Sequence, residues 1–318
     1  LIKEIATLTD NTRDKGQAFF ERLTGYNEVK LIDLNDPLNN DYRIVTELSF
    51  RGEREEFRPD ITILINGIPL GFVEAKKPNN QNGIQAEFDR MKFRLKVEDF
   101  IPFFNQFQVL GFTNNMDYDD DARIKLQGSF YTTPNSEKTS YNNFREEQEI
   151  PVNEFLDEAY IDNVLVDNSI MPIKGTAEFD MNLKPDTYAN KFITSVFSKE
   201  RLIFFLKYGI VYVDSPRDGL QKHIIRYPQL FAIKELIRKM KKGLKRGVVW
   251  HTQGSGKTAL SYFMSNVLRD YFQEDDVITK FYFVVDRLDL LIQASSEFAS
   301  RGMSIANINS REDFKENI

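Results

Sequence analysis

The chain has 318 residues, long enough for two domains, and its 41% hydrophobic and 13% aromatic content can fill sizeable cores. Cysteine is absent and His223 and His251 are the only histidines, which excludes a disulfide framework and argues against structural zinc. No apolar run reaches the roughly 18 residues of a membrane span and no signal peptide is apparent, so a cytoplasmic protein without membrane contact is expected.

The net charge of −6 is segregated rather than even. Between Lys234 and Arg246 seven basic residues face one acid, Glu235, while the acidic surplus sits in Asp117–Asp121 and Arg145–Glu158. The chain begins without Met and stops at Ile318, and it reads as a piece of a longer polypeptide.

In chain order, residues 13–23 read as an amphipathic helix, and Val29–Leu34 and the alternating Tyr42–Phe50 as strands. Ile61–Ile65 and Ile68–Val73 are apolar runs separated by Asn66-Gly67, the strongest short-range sign of a hairpin closed by a type I′ turn. Ile84–Val97 has helical spacing, and Gln108–Thr113 is a short strand. Residues 114–150 are polar and loop-rich, consistent with a hairpin decorated by insertions. Residues 187–207 predict one or two helices and Ile210–Val213 a strand. Pro216-Arg217-Asp218-Gly219 is a turn or linker, and the domain boundary is placed there. Helix 228–242, strand 247–251, a glycine loop, helix 257–271 and strand 281–286 follow, an alternation that predicts a parallel α/β sheet. No internal repeat is present. The expected division is thus 1–150, a spacer at 151–218 that could join the first domain, and 219–318.

Two constellations carry chemistry. In the first, Arg58-Pro59-Asp60 opens one arm of the Asn-Gly hairpin and Glu74-Ala75-Lys76 closes the other. Glu74 and Lys76 are two apart on a strand and share a face. The turn brings Asp60 back toward them, so two carboxylates and an ammonium converge. That set suits Mg²⁺-dependent phosphodiester hydrolysis, with Asp60, Glu74 and the Ala75 carbonyl as ligands and Lys76 at the water and scissile phosphate. These residues resemble the PD-(D/E)xK nuclease superfamily. The resemblance implies a supporting residue on the preceding helix, where Glu21 and Gln17 are both candidates. It also implies a Q-x-x-x-Y pair on the following helix; here the equivalents are Glu87 and Met91, or Gln85 and Asp89.

In the second, Val248–Thr258 reads VVWHTQGSGKT, an apolar run, a glycine loop and a helix start. This is the chemistry of a P-loop. Backbone groups of Gln253, Gly254, Ser255 and Gly256 cradle phosphates, Lys257 reaches the outer phosphates, and the Thr258 hydroxyl ligates Mg²⁺. His251 stands where the first glycine belongs. Upstream, Tyr227 and Gln229 open a helix. Gln229 can bond an adenine edge and Tyr227 can stack on the base, an arrangement resembling the Q-motif of superfamily 2 helicases.

In order, the nuclease hairpin, spacer, RYPQ, basic helix and GVVWHTQGSGKT closely resemble the motor (R) subunit of type I restriction enzymes, which shows the same histidine in its loop. The resemblance implies a PD-(D/E)xK domain followed by the start of a RecA-like P-loop motor. It also implies ATP and Mg²⁺ as cofactors and double-stranded DNA as substrate. Methyltransferase and specificity subunits are the partners implied. Arg287, Lys92 and Arg94 are the candidate DNA contacts. Three other readings are a single-chain nuclease–helicase without such partners, a DNA-binding scaffold with a vestigial nuclease, and a P-loop small-molecule kinase. The nuclease hairpin and Gln229 argue against the kinase, and the intact Asp60, Glu74 and Lys76 against the scaffold.

Overall fold

A computed structural model describes residues 2–25, 27–53, 55–78, 82–118, 126–135, 139–145, 157–308 and 310–317. The chain divides into two compact units, Leu1–Lys207 and Tyr208–Ile318. Most of the expected acidic surplus, residues 119–121 and 146–156, lies outside the described residues.

The first unit opens with helices α1 (Ile2–Thr9) and α2 (Gln17–Thr24). Strand β1 (Tyr42–Thr46) follows, then a small separate ladder of β2 (Phe50–Arg51) and β3 (Glu56–Phe57). The expected single strand Tyr42–Phe50 is therefore broken, at Glu47, whose φ of 52° ends the extended run. The hairpin β4 (Ile61–Ile65) and β5 (Ile68–Ala75) is present as expected. Asn66 and Gly67 have φ of 52° and 81°, the positive values a type I′ turn demands at both central positions. The register is not uniform: Ile65 pairs with Ile68 and Leu64 with Pro69, but Ile63 pairs with Gly71 and Ile61 with Val73, so β5 carries a bulge.

Val29–Leu34 is not a strand. Leu31 and Ile32 are both buried although adjacent, and side chains take the segment's backbone bonds: Asn40 accepts from the Asp33 amide at 2.9 Å, and Asn66 donates to the Leu31 carbonyl at 2.8 Å. The turn residue Asn66 thereby also pins this segment.

A crossover through α3 (Gln85–Arg94) and α4 (Ile101–Gln106) leads to β6 (Val109–Thr113), which lies parallel to β5. Strands β7 (Ser129–Thr132) and β8 (Asn142–Asn143) complete a six-stranded sheet of order β1-β4-β5-β6-β7-β8, antiparallel except at β5–β6. One face of the sheet presents Phe72, Leu110, Phe112 and Phe130, and these pack with Met91, Leu95, Phe103 and Phe104 from the crossover into an aromatic-rich core. On the other face lie Gly71 and Gly111. Helices α5 (Glu158–Asp167), α6 (Ala177–Asn182), α7 (Tyr188–Val196) and α8 (Lys199–Phe204) follow. The Phe197 ring sits against the two glycines: a Cβ on Gly111 would lie 2.7 Å from it. The spacer 151–218 is thus largely part of the first unit, with α7 packed on β6 and β7.

The second unit begins with a hairpin of β9 (Ile210–Ser215) and β10 (Gly219–Ile224). Pro216–Gly219 is the turn of this hairpin, and the division into compact units falls several residues earlier, at Lys207/Tyr208. The polar strand β10 went unforeseen. Helix α9 (Tyr227–Lys241) carries Arg238, Lys239 and Lys241 in its last turn, where cations complement the helix dipole. Helices α10 (Lys257–Gln273), α11 (Leu288–Ala299) and α12 (Arg311–Asn317) complete the unit.

The expected strands 247–251 and 281–286 have no ladder among the described residues. Val248 and Trp250 are each 89% exposed and Val284 is 90% exposed. A parallel strand takes all its backbone bonds from neighbours distant in sequence and its burial from helices on both faces. An apolar run carries the demand for such neighbours but does not supply them.

Candidate active site and phosphate-binding loop

Strand β5 delivers the first site. Phe72, Glu74 and Lys76 alternate onto the core face, and the Lys76 amide continues the parallel ladder by donating to the Thr113 carbonyl at 2.8 Å. Asp60 precedes Ile61, the partner of Val73, and so stands across from Glu74. Its Oδ2 accepts from the Ala75 amide at 2.7 Å. Lys76 Nζ lies 3.1 Å from Glu74 Oε2 and 3.8 Å from Asp60 Oδ2. The structure therefore brings Asp60, Glu74, Ala75 and Lys76 together, as expected.

It also brings in Glu87 from α3, which the sequence offered only as the stand-in for a family glutamine. Glu87 Oε2 is 3.4 Å from Lys76 Nζ, and its side chain is fully buried. The readable signal was the spacing of Ile84, Glu87 and Met91, which puts an acid on the inner face of an amphipathic helix. Arg90 and Arg94, one and two turns on, pair with Glu87 at 2.9 and 3.5 Å. Tyr141, stacked on Phe112 at 4.4 Å, reaches the same neighbourhood, and no sequence signal announced it. Burial, then the charges of Glu87 and Glu74, push its phenol well above the usual range.

Burial, followed by the charges of Glu87 and Asp60, raises the Glu74 carboxyl to about 7. Burial works against the Lys76 ammonium, but Glu74, Glu87 and Asp60 outweigh it and hold its pKa above the ordinary lysine value. Glu74 Oε1 is buried without a hydrogen-bond partner. An orphaned carboxylate oxygen beside a second carboxylate is a hard donor set that suits Mg²⁺, which characteristically takes one or two carboxylates and completes its shell elsewhere. Among the described residues no group of three or more ligating side chains forms a fuller cage. Glu21 and Gln17 hydrogen-bond each other at 2.8 Å on an exposed part of α2, whereas Glu87 is the further acid found beside Lys76.

Of the candidate DNA contacts, Lys92 lies over the Phe88 ring at 4.0 Å on the exposed side of α3. Arg94 is committed to the site, 4.3 Å over the Phe57 ring and paired with Glu87. Arg287 is exposed, with Asp289 at 3.9 Å.

The phosphate loop precedes α10. Gly254 and Gly256 have φ of 75° and 78°, values that glycine alone adopts freely, and Gly256 forms the N-cap. Lys257 Nζ donates to the Thr252 carbonyl at 3.0 Å, and Ser255 Oγ to the same oxygen at 2.8 Å. Gln253 and Gly254 are exposed, and Thr258 is half-buried in the first turn of α10. Gln229 is 3% exposed. Its Oε1 accepts from the Arg226 amide at 3.0 Å and its Nε2 donates to the Gly256 carbonyl at 3.0 Å. The amide thus caps α9 and holds the loop, leaving one proton and one lone pair for a base. A Cβ on Gly256 would strike Gln229 Nε2 at 2.7 Å. Tyr227 is half-buried, its ring 6.4 Å from that of Phe231. A cavity of about 260 Å³ adjoins the loop, lined in part by Arg226, Gln229, Gly256 and Thr258.

Residues 1–119 match the family model of the type I restriction enzyme R protein N terminus, and residues 228–318 that of the SWI2/SNF2 ATPase. Residues 1–119 thus carry the N-terminal domain of the type I restriction enzyme R proteins. It is 30% identical to a putative type I restriction enzyme MjaVIIP endonuclease subunit of Methanocaldococcus jannaschii, over 85% of this chain and 22% of that protein. The MjaVIIIP subunit of the same organism is 26% identical over 91% of this chain and 24% of its own length. The SsaAORF53P subunit of Staphylococcus saprophyticus is 25% identical over 85% and 23%. The chain therefore spans less than a quarter of the length of these R-protein relatives. No helix among its described residues is long and apolar enough to cross a membrane.

Proposed function

We propose that the first unit is a PD-(D/E)xK-type, Mg²⁺-dependent endonuclease acting on double-stranded DNA. In this reading the second unit opens an ATP-driven translocase, and the whole works with methyltransferase and specificity subunits. The observation that carries the reading is that Asp60 and Glu74 each place a carboxylate oxygen within 4 Å of Lys76 Nζ. Asp60, Glu74 and the Ala75 carbonyl would hold Mg²⁺, which supplies charge stabilisation at the phosphoryl oxygens. The chain's own part is positional. Asp60 is fixed by the Ala75 amide, and Glu74 is buried with one oxygen uncommitted. Lys76 places a fixed positive charge beside both, where it can orient a nucleophile and offset charge developing on the scissile phosphate. In the second unit, the loop amides and Lys257 would receive the phosphates of ATP, and Thr258 would face its Mg²⁺.

The test is Lys76→Ala in the complete restriction complex. Plasmid cleavage should be lost while DNA-stimulated ATP hydrolysis persists. A parallel fall of both activities in a folded variant would refute separate sites.

A further inference from the structure

The three carboxylates around Lys76 are not equivalent. Glu74 has a buried oxygen without a partner. Asp60 is part-exposed at the strand end, with one oxygen on the Ala75 amide. Glu87 is the opposite case. Its side chain is wholly buried, and cations surround it: Arg90 at 2.9 Å and Lys76 at 3.4 Å on Oε2, and Arg94 at 3.5 Å on Oε1. With three cationic side chains on its two oxygens, this carboxylate is placed to hold cationic side chains rather than to ligate a metal. Arg94 is itself braced 4.3 Å over the Phe57 ring, and Phe57 is buried in the core. The bracket therefore ends on a ring buried in the hydrophobic core.

Lys76 Nζ has three protons and faces three carboxylate oxygens, at 3.1, 3.4 and 3.8 Å. Two of these belong to the residues whose donor set fits Mg²⁺. A cation drawing Asp60 and Glu74 toward itself would take acceptors away from Lys76 and repel it. Among the described residues, Glu87 is the remaining acid placed to keep it.

We propose that Glu87 is the positioning residue of the nuclease site: held by Arg90 and Arg94, it retains the Lys76 ammonium when Asp60 and Glu74 turn to a divalent cation. The proposal rests on the nuclease reading above. It distinguishes a ligand role from a positioning role within one cluster of like groups.

Glu87→Gln, Glu87→Asp, Glu74→Gln and Lys76→Ala are compared in the restriction complex that contains this chain. Plasmid cleavage at saturating Mg²⁺ is one readout, and calorimetric titration with Ca²⁺ as a non-cleaving probe is the other. Glu87→Gln should lower kcat by about 10- to 100-fold, the usual effect of removing a supporting partner, with KM for DNA unchanged. Its Ca²⁺ binding should remain, whereas Glu74→Gln should lose it. Glu87→Asp, which keeps the charge, should recover part of the rate. Wild-type kcat in Glu87→Gln, or loss of Ca²⁺ binding equal to that of Glu74→Gln, would overturn the proposal. Should Glu87→Gln fail to fold, Arg90→Ala decides, because Arg90 is half exposed: a severalfold fall in kcat at constant KM supports the bracket, and an unchanged kcat overturns it. If Lys76→Ala still cleaves, the nuclease reading itself fails. If Lys76→Ala is dead and Glu87→Gln is normal, only the positioning role fails.

Discussion

The two units reach their sites by different routes. In the first, one hairpin and the helix after it supply every charged group of the site, and sheet neighbours sit on both sides of β5. In the second, the loop has its glycine geometry and its lysine contacts, yet the apolar runs 247–251 and 281–286 have no ladder among the described residues. A site built on an antiparallel hairpin needs only the turn and register of that hairpin to bring its halves together. One built on a parallel sheet depends on strands separated by whole helices. The cluster around Lys76 can therefore be read as a finished arrangement, and the glycine loop as a local one.

The largest expected effect falls on the loop. Lys257→Ala in the complete complex should lower ATP hydrolysis by on the order of a thousandfold, because an ammonium facing the outer phosphates stabilises charge in the transition state. Near-normal phosphate release would mean that the loop is not the catalytic one, and the contrast between a local and a finished site would lose its second half.

Next is a packing change in the first unit. Gly111→Ala puts a methyl group 2.7 Å from the Phe197 ring and 3.0 Å from Phe192. It should destabilise the first unit by about 1–3 kcal/mol in chemical denaturation. Phe197→Leu in the same chain should restore part of the loss. An Ala variant as stable as the parent would show that the face behind the site is loosely packed.

A smaller change concerns pH. The Glu74 carboxyl titrates at about 7 in the fold against an ordinary value of 4.5. The folded state thus binds this proton more tightly than the unfolded chain. The advantage is complete below about 4.5 and is lost as pH rises to about 7. Without divalent cations, Glu74→Gln should therefore raise stability at pH 8 by about 3 kcal/mol and leave it unchanged at pH 4. Equal stability of the two proteins at pH 8 would show that Lys76 fully offsets the burial of the carboxylate.

The smallest effect is on base choice. Gln229→Ala should reduce the preference for ATP over GTP severalfold and shift the loop, since the amide is shared between the α9 cap and Gly256. Unchanged preference with weaker binding of both nucleotides would make Gln229 a structural tie alone.

What the sequence made legible follows the same division. Asn66-Gly67 announced a turn because few other pairs tolerate positive φ twice in succession, and the alternation of Phe72, Glu74 and Lys76 declared their common face. Helices α9 and α10 of the second unit were readable from period and loop chemistry, whereas α11 and α12 were not foreseen. Glu87 was hidden because a single acid on the inner face of a helix looks like a flaw in the pattern until its cations are in place. Strand β10 was hidden because its residues are mostly polar, although Gln221 and Lys222 are both buried. Val29–Leu34 misled because apolar content gives burial without saying whether the backbone bonds run to a strand or to Asn40 and Asn66.

The bulge in β5 has a further meaning. In an unbulged hairpin closed by Asn66-Gly67, positions across the strands keep a constant sum, and Asp60 would stand opposite Val73, on the far side of the sheet from Glu74. The extra residue between Pro69 and Gly71 shifts that parity by one. It is this single insertion that turns two carboxylates on opposite sides into a facing pair. Loss of one residue there would still permit a well-formed hairpin with the same turn, but its acids would be separated by the thickness of the sheet. The site is thus a matter of odd or even counting along one strand, decided several residues away from any group that carries charge.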